Sequence, residues 1–385
     1  MIPVPCPSLA GFVLKLLFVE PFYGGSHRSF IESWQQHSRH RFDLIQLPPY
    51  KWKWRMRHAG LSCAQQANQA EGDFDLIICS DMLPLAEFKG LLNPALQNCP
   101  TVCYFHENQL TYPTSKGTVA ERDFHFVYTN FMNLVTANES WFNSQFHLDS
   151  FTGELEQHLQ RFPDFQHLEE FQASCNRCFV QHPGIEIPTT VTTKADCDSP
   201  LTIVWPHRWE YDKNPEQFFR VLNRLKSQLD FRIIVLGESF RNSPAIFQQA
   251  RLDFADQIQH WGFVESRQRF QSLLAAEDVA VSTANHEFFG IAMLECAASH
   301  ALPLVPNRLA YPETIEHNLH PDCFYDGTDD HLAQRLVELH NDRSHLAKLA
   351  GQVAKHTAQR FSWELRAREM DDRLEELLNK VNTGS

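Results

Sequence analysis

The sequence predicts an α/β protein made of two doubly wound parallel-sheet domains that face each other across a cleft. Two observations lead to this fold class. Short apolar segments of strand length alternate with helical patterns, and the same alternation starts again after Pro200. The chain of 385 residues is long enough for two domains, and its hydrophobic content of 43% is sufficient for two buried cores.

The first domain is predicted to be Rossmann-like and to span residues 13–185. Six apolar runs are its predicted strands, namely residues 13–20, 42–47, 74–79, 101–105, 134–138 and 178–180. Residues 186–200 contain few large apolar side chains and include Pro188 and Pro200. We therefore predict that this segment is the linker between the domains.

A second Rossmann-like domain is predicted over residues 201–360. Its strand candidates are residues 201–205, 231–236, 279–282 and 302–305. Apolar residues at helical spacing predict helices over 331–354 and 363–380, so residues 361–385 are interpreted as a C-terminal helix that could cover either domain. Two open sheets joined in this way bind ligands in the cleft between the carboxyl ends of their strands.

The charge of the chain limits its partners. A formal net charge of −13 gives no overall attraction for phosphate backbones or anionic lipid, so such a partner requires a local basic patch. The ten cysteines fall mostly in apolar stretches, which predicts reduced thiols in a cytoplasmic protein. No apolar run reaches the roughly 20 residues that span a bilayer, so no stable membrane association is expected.

Two loops of the first domain carry candidate ligand contacts. Gly24 and Gly25 lie between a strand and a helix, where the backbone can approach an anion or a sugar hydroxyl closely. A plain strand-to-helix turn explains this pair equally well. His106 opens the polar run His-Glu-Asn-Gln directly after residues 101–105, at the carboxyl end of a strand. Because sheets of this type place ligand contacts there, we interpret His106 as a functional residue.

The first loop of the second domain carries two cations, Arg208 and Lys213. A guanidinium fork beside a point charge suits a diphosphate, which carries several negative charges. The alternative is an ordinary surface ion pair between Lys213 and Asp212. The position of both cations after a predicted strand favours the diphosphate.

The most specific segment runs from Glu287 to Glu295, with Gly290 at the predicted start of a helix. Glu287 is then expected in the loop and Glu295 inside the helix, with free N–H groups near Phe289, Gly290 and Ile291. The carboxylates would accept hydrogen bonds from sugar hydroxyls, and the N–H groups would donate to a phosphate. Two solvated helix carboxylates are the alternative, but the flanking residues are apolar.

These motifs together resemble those of the retaining glycosyltransferases of family 4, which have the GT-B architecture. The glycine pair, the two cations and the Glu-x7-Glu segment carry the resemblance, which covers nearly the whole chain. Four further segments are similar to those of the tRNA-queuosine alpha-mannosyltransferases, namely residues 20–27, 51–55, 104–109 and 142–144.

The resemblance implies a reaction and its substrates. Mannose would pass from GDP-mannose to the cyclopentenediol of queuosine in a tRNA anticodon, with tRNA-Asp as the expected acceptor and with retention of configuration. Two positive side chains would stabilise the leaving diphosphate, so no metal or other cofactor is expected.

The resemblance also implies roles for the candidate residues. Arg208 and Lys213 would neutralise the diphosphate, and Glu287 would contact the transferred sugar. Glu295 would hold the ribose of the nucleotide. His106 would lie near the donor sugar from the opposite domain, where the glycine pair would also close onto the donor.

A basic and aromatic stretch at residues 50–58 is unusual in so acidic a chain. Cations there could contact phosphates while indoles stack on unpaired bases, which predicts a tRNA-binding surface. The residues assigned to this surface are Lys51, Trp52, Lys53, Trp54, Arg55 and Arg57. The alternative is a positive edge that binds nothing or touches anionic lipid.

Two other functions remain open at this point. One is a family 4 glycosyltransferase that acts on a lipid-linked or polysaccharide acceptor, and the other is a catalytically silent tRNA-binding protein. Cys175 and Cys178 with His182 suggest zinc, but a single Cys-x2-Cys pair is a weak signal, so we interpret these residues as structural.

Overall fold

The computed structural model describes residues 13–108, 110–111, 124–188, 199–239, 243–274 and 276–383. These residues form two α/β domains, each built on a six-stranded sheet. Neighbouring strands run parallel throughout both sheets, as in doubly wound folds. None of the helices among these residues is long and apolar enough to cross a membrane.

The sheet of the first domain has the strand order β2-β1-β3-β4-β5-β6. Its strands are β1 (Lys15–Glu20), β2 (Arg41–Gln46), β3 (Leu76–Ser80), β4 (Thr101–Phe105), β5 (Glu139–Phe142) and β6 (Cys178–Val180). The helices between them are α1 (Gly25–His37), α2 (Trp52–Ala67), α3 (Leu85–Leu91), α4 (Pro94–Gln97), α5 (Phe124–Thr136), α6 (Gln145–Leu159) and α7 (Leu168–Cys175). Strands β3 and β4 are buried along their whole length because helices cover both faces of the sheet.

The sheet of the second domain has the strand order β12-β11-β10-β7-β8-β9. Its strands are β7 (Leu201–Pro206), β8 (Phe231–Leu236), β9 (Ile258–Gly262), β10 (Val279–Val281), β11 (Leu302–Pro306) and β12 (Phe324–Tyr325). The remaining helices are α8 (Pro215–Leu225), α9 (Ile246–Asp253), α10 (Arg267–Leu274), α11 (Ile291–Ala298), α12 (Asp329–Asn341), α13 (Arg343–Phe361) and α14 (Trp363–Thr383).

The strand order locates the ligand-binding edge of each sheet. In the first sheet the order reverses between β1 and β3, and in the second it reverses between β7 and β10. Loops that leave the carboxyl ends of such strands turn to opposite faces of the sheet and leave a crevice between them. The loops after β1, β3, β7 and β10 therefore define where the site must lie.

The structure differs from the prediction at four elements. Residues 134–138 were expected to form a strand, but α5 continues to Thr136 and the strand is β5. The apolar residues Val127, Phe131 and Leu134 have helical spacing and are buried on one face of α5. The strands β9 and β12 were not predicted, and the helix expected over 331–354 is two helices separated at Asp342, whose side chain caps α13.

The chain crosses between the domains at two adjacent points. After β6 it enters the predicted linker, of which residues 189–198 lie outside the described residues, and after α13 it returns at Ser362. The backbone N–H of Ile185 donates to the carbonyl of Phe361 at 2.7 Å, so the two crossings are joined. Helix α14 then packs into the core of the first domain, where Trp363, Met370 and Leu374 join Trp34.

Asp371 anchors α14 to the first domain. Its carboxylate is buried and accepts hydrogen bonds from the indole of Trp34 (3.0 Å), the hydroxyl of Ser38 (2.8 Å) and the backbone N–H of Arg39 (2.9 Å). We expect Asp371→Ala to lower the free energy of unfolding by about 2–3 kcal/mol, because these donors lose their acceptor in a buried place. Urea unfolding measures this loss. The exposed neighbour Asp372→Ala is the control and should change stability by less than about 1 kcal/mol.

Candidate active site

A buried lysine is the centre of the candidate site in the second domain. Lys213 lies in a short 3-10 turn, Tyr211–Lys213, after β7. Its Nζ donates to the carbonyl of His286 at 2.7 Å and lies 3.3 Å from Oε2 of Glu287 and 3.2 Å from Oδ2 of Asp212. Both Lys213 and Asp212 are buried, so their contact is not the surface pair considered above.

The charges of this group are mutually stabilised. Burial alone would raise the pKa of Glu287. The attraction of Lys213, together with smaller contributions from neighbouring groups, outweighs burial and lowers this pKa to about 2. Burial would likewise lower the pKa of Lys213, whereas Glu287 and Asp212 raise it. At neutral pH the site therefore holds a fixed ammonium and a fixed carboxylate on the loops that follow β7 and β10.

Two neutral histidines line the same loops. Burial, with the charge of Lys213 beside it, lowers the pKa of His207 to about 3 and that of His286 to about 4. Nε2 of His207 is buried and has no hydrogen-bond partner among the residues that the structure describes. His207 lies in the loop singled out from the sequence but was not assigned a role there, because histidine after a strand is not specific by itself.

Arg208 follows His207 and remains half exposed, with its guanidinium 3.2 Å from the carboxylate of Glu210. The backbone of this loop passes directly over the end of β8. A Cβ on Gly237 would lie 1.9 Å from the carbonyl oxygen of His207, and Gly237 has a φ of +124°. The glycine therefore allows the close approach that holds the Arg208 loop in position.

The segment from Glu287 to Glu295 has the predicted arrangement. Glu287 lies in the loop before α11, Gly290 caps the helix with a φ of +87°, and Glu295 is half-buried inside the helix. A Cβ on Gly290 would lie 2.9 Å from the ring of Tyr311, so the chain turns closely over that ring. The first N–H groups of α11, beginning at Ile291, then have no carbonyl partner within the helix.

The side chain of Phe289, one residue before Gly290, is packed inside the protein. Its ring is buried against Phe361 and His182, at centroid distances of 5.5 and 5.7 Å. Phe289 therefore packs beside the crossing between the domains. His182 also bonds the carbonyl of Asn143 through Nδ1 (2.9 Å), and Cys178 bonds the carbonyl of Ser174, so these residues have structural partners.

The glycine pair of the first domain has a steric role. Gly25 has a φ of +53°, and a Cβ on Gly24 would lie 2.4 Å from the ring of Pro49. The loop therefore packs directly against the segment that leads into α2. Glu20, just before this loop, is fully buried and accepts hydrogen bonds from the N–H of Phe22 (2.8 Å) and the hydroxyl of Ser80 (3.0 Å).

A charged and a neutral histidine stand side by side after this loop. Nδ1 of His27 lies 3.1 Å from Oε2 of Glu20, and this carboxylate raises the pKa of His27 to about 9 against the effect of burial. The ring of His27 is 4.1 Å from that of His106. Burial and the neighbouring charge of His27 lower the pKa of His106 well below its usual range.

His106 is held by its backbone. Its N–H donates to Oδ1 of Asp81 at 3.0 Å, and its carbonyl accepts from the amide of Asn143 at 2.9 Å. Nε2 of His106 and Oδ2 of Asp81 are buried and lack a protein partner among the described residues. Gln109, at the end of the predicted polar run, lies outside those residues. Asp81 was not predicted, because one aspartate after an apolar strand is common at helix starts and turns.

Glu20, His27 and His106 also form the single group, within the described part of the chain, whose potential metal-ligand atoms lie within 4.8 Å of one another. Both oxygens of Glu20 are already hydrogen-bonded, one of them to His27. We therefore interpret the group as an ion pair beside a neutral imidazole.

The two sheet edges face each other. Burial raises the pKa of Glu210 in the second domain, and the charge of Glu107 in the first domain contributes to this rise. The hydroxyl of Ser144, at the start of α6, donates to the carbonyl of Phe288 at 2.5 Å. The structure thus brings Lys213, Glu287 and the start of α11 together on one wall of the cleft and places His106 and the glycine pair on the other.

The residues predicted to bind tRNA lie apart from this group, at the start of α2. Lys51, Lys53, Trp54 and Arg57 are exposed, and we call them the α2 surface. Trp52 is partly exposed and packs on Phe126. Beneath them Met56, Met82 and Phe126 form a small cluster with Phe22 of the glycine loop, so the α2 surface adjoins the cleft.

Arg55 differs from its neighbours because it is buried. Its Nε donates to the carbonyl of Pro48 at 3.0 Å, its Nη1 lies 2.8 Å from Nε2 of His58, and its guanidinium stacks on Tyr50. Helical spacing explains the difference, because residues at positions 55 and 56 face the domain while those at 53, 54 and 57 face outward.

Comparison with known proteins agrees with this architecture. Residues 15–185 match the family model described as tRNA-queuosine alpha-mannosyltransferase N-terminal, and residues 195–356 match glycosyl transferases group 1. A tRNA-queuosine alpha-mannosyltransferase from Drosophila melanogaster is 35% identical over 309 residues, which cover 77% of this chain and 81% of the fly protein.

Solved structures of low sequence identity share the fold. Sucrose-phosphate synthase from Thermosynechococcus elongatus aligns with a TM-score of 0.70 and 12% identity, over 96% of this chain and all of that one. HepE from Anabaena, solved in complex with UDP, aligns with a TM-score of 0.66 and 14% identity, over 94% of this chain and all of that one. The two parallel sheets that face one cleft, the matching family models and the fly relative all lead to the same conclusion. The chain is a glycosyltransferase of GT-B architecture that belongs to the tRNA-queuosine alpha-mannosyltransferase family.

Proposed function

We propose that this enzyme transfers mannose from GDP-mannose to the cyclopentenediol of queuosine in a tRNA anticodon, with tRNA-Asp as the acceptor. The observation that carries the proposal is the buried Lys213–Glu287 pair on a loop wall shared with the start of α11. This wall offers a cation and N–H donors for a diphosphate beside an acceptor for sugar hydroxyls. The name of the fly relative supplies mannose and queuosine.

In this proposal the residues of the second domain hold the donor. Lys213 and Arg208 neutralise the diphosphate, and the first N–H groups of α11 donate to its oxygens. Glu287, whose pKa of about 2 keeps it ionised, accepts hydrogen bonds from hydroxyls of the mannose. Glu295 accepts hydrogen bonds from the ribose.

The proposed transfer of mannose needs no nucleophile from the enzyme. The acceptor hydroxyl attacks C1 of mannose from the face that the diphosphate leaves, so configuration is retained. The C1–O bond to the diphosphate breaks as the new glycosidic bond forms, and the hydroxyl proton passes to the departing phosphate oxygen. Lys213 and Arg208 stabilise the charge that develops on that oxygen, which lowers the barrier.

His106 acts from the first domain. It is neutral, and its Nε2 lies buried without a hydrogen-bond partner in the part of the chain that the structure describes, so this nitrogen can hydrogen-bond to a hydroxyl of the donor sugar. Closure of the cleft would bring it and the glycine pair against the donor. Because two side-chain cations serve the leaving group, we propose that transfer does not require a divalent metal. Full activity after treatment with EDTA would support this part.

The α2 surface is proposed to bind the tRNA. The indole of Trp54 is 61% exposed, and Lys53 and Arg57 lie on the same side of the helix. Stacking of an unpaired base on an indole contributes about 1–3 kcal/mol, and the cations contact neighbouring phosphates. The surface adjoins the glycine loop, so an anticodon loop bound there is close to the cleft.

We expect the double variant Lys53→Ala with Trp54→Ala to raise KM for tRNA by at least about tenfold, since it loses one stacking platform and one phosphate contact. KM for GDP-mannose should stay within twofold of the wild-type value. The double variant Lys348→Ala with Lys355→Ala, which removes two exposed cations from α13, is the control and should leave both constants unchanged. An equal rise of both KM values in the α2 variant would place this surface in the donor site instead.

The reaction itself is tested with radiolabelled GDP-mannose and two pools of total tRNA, one containing queuosine and one from cells that lack it. Label in the queuosine-containing pool alone is the expected result. Label in both pools would contradict queuosine as the acceptor. Donor hydrolysis without label in either pool would contradict tRNA and favour a lipid or glycan acceptor. Purified tRNA-Asp then tests the choice of tRNA.

A further inference from the structure

The loop that carries Glu287 belongs to the second domain, but it is fastened to the first. The hydroxyl of Ser144, in the segment between β5 and α6, donates to the carbonyl of Phe288 at 2.5 Å. The same oxygen accepts the N–H of His147 at 3.0 Å and so caps α6. One buried hydroxyl therefore ties the end of a helix in the first domain to the residue next to Glu287.

The side chain of Phe288 makes a second contact with the first domain. Its ring stacks on that of His147, at a centroid distance of 3.9 Å and an interplanar angle of 21°. The ring of His147 is itself oriented, because its Nδ1 lies 2.9 Å from the amide oxygen of Asn143. Burial lowers the pKa of His147 well below its usual range, so this contact does not carry a charge at neutral pH.

A third contact joins the same two places. The carboxylate of Glu313, in the second domain, accepts hydrogen bonds from the N–H groups of Gln145 (2.9 Å) and Phe146 (3.0 Å). These are the first two residues of α6, where free N–H groups and the helix dipole favour a negative charge. The start of α6 is thus held to the second domain at Ser144 and at the three residues that follow it.

We propose that Ser144 is a positioning residue for sugar transfer, because its hydroxyl holds the loop of residues 286–290 in its working place only when the two domains are together. The proposal rests on the proposed function of Glu287 and of the start of α11 as donor contacts. Opening of the cleft breaks the bond to Phe288, and the loop then loses its support from the first domain. In the proposal the nucleotide binds while the cleft is open, when the bond to Phe288 is absent in any case, so its affinity does not depend on Ser144.

The variant Ser144→Gly tests this coupling. Glycine is tolerated at a helix N-cap, so the start of α6 keeps most of its stability while the bond to Phe288 is lost. We expect kcat/KM for GDP-mannose to fall about tenfold, mainly through kcat, which corresponds to one buried hydrogen bond. The Kd for GDP, measured by calorimetry, should stay within twofold. Ser144→Thr keeps the hydroxyl and should restore activity to near the wild-type value.

The matched control is Thr328→Gly, which removes a capping hydroxyl from α12, far along the chain from the donor loop. Its kcat/KM should equal that of the wild type. A Ser144→Gly variant with unchanged kcat/KM, or one whose Kd for GDP weakens as much as kcat/KM falls, would overturn the proposal. A wild-type enzyme that does not use GDP-mannose at all would instead contradict the proposed function.

Discussion

We expect the Lys213→Met variant to lose sugar transfer by about a hundredfold to a thousandfold. The lysine is the only charged nitrogen within 3.3 Å of Glu287 in the contacts of the described residues, and methionine keeps the length of the side chain without its charge. In the proposed mechanism the ammonium stabilises the diphosphate more as it departs than while it is bound, and loss of such a contact costs about 3–4 kcal/mol of barrier. Steady-state transfer with saturating tRNA measures the effect.

Stability must be followed in the same variant. Removing Lys213 leaves Asp212 and Glu287 as buried carboxylates without their cation, which destabilises a protein strongly. Arg208→Gln provides the second test, because Arg208 is half exposed and its loss leaves the fold intact. It should lower kcat at least about a hundredfold while tRNA binding, measured by gel shift, stays unchanged. Near wild-type transfer in the Arg208→Gln variant would remove this residue from the mechanism.

The second large effect is expected on acidification. His207 and His286 have pKa values lowered to about 3 and about 4, below the usual value near 6.5. The native protein therefore excludes protons that the unfolded chain accepts, so their contribution to stability is complete above pH 6.5 and is lost as the pH falls below it. At pH 5 each histidine lowers the free energy of unfolding by about 2 kcal/mol, and together by about 4 kcal/mol.

Urea unfolding at pH 6.5 and pH 5 measures this loss, and His207→Gln identifies its source. The variant should lose about 2 kcal/mol less than the wild type between the two pH values. Asp81 acts in the opposite direction, because burial raises its pKa to about 8 and the native form keeps a proton that the unfolded chain releases. The comparison of variant with wild type is unaffected by Asp81. Identical losses in the two proteins would mean that His207 is protonated in the native state.

The raised pKa of His27 sets an alkaline limit to the stability of the protein. Its pKa is raised to about 9, so its pair with Glu20 contributes fully below pH 6.5 and is lost as the pH rises from 6.5 to 9. The enzyme is therefore expected to be most stable near pH 6.5–7, between the titration of the buried neutral histidines and that of His27.

The sequence contains enough information for the fold and for the placement of Lys213, Glu287 and the start of α11 on one wall of the cleft. Apolar runs of strand length mark most of the buried strands, since strands covered on both faces have little need of polar residues. The exceptions have physical causes. Leu134 and Val135 belong to an apolar segment that fits a helix as well as a strand, and β9 is only partly buried at the sheet edge, so its sequence is too mixed to stand out.

Apolar patterns in the sequence do not identify the residues that contact each other across the cleft. Ser144, His147 and Glu313 are ordinary polar residues in sequence, and their contacts depend on the relative placement of two domains. Arg55 was predicted to lie on the surface but is buried, because a cationic stretch in the sequence does not reveal which of its side chains turns inward. Lys213 was found because its position after β7 is set within one domain, by strand order alone.

The packing of α14 has a consequence for synthesis of the protein. The first domain has its last strand at Cys178–Val180, but Trp363 and Asp371 complete its core and hold Trp34. A ribosome must therefore translate the entire second domain before the first can finish folding, against the usual order in which the earlier domain folds first. Until then the nascent chain exposes the apolar surface around Trp34, where a chaperone could bind.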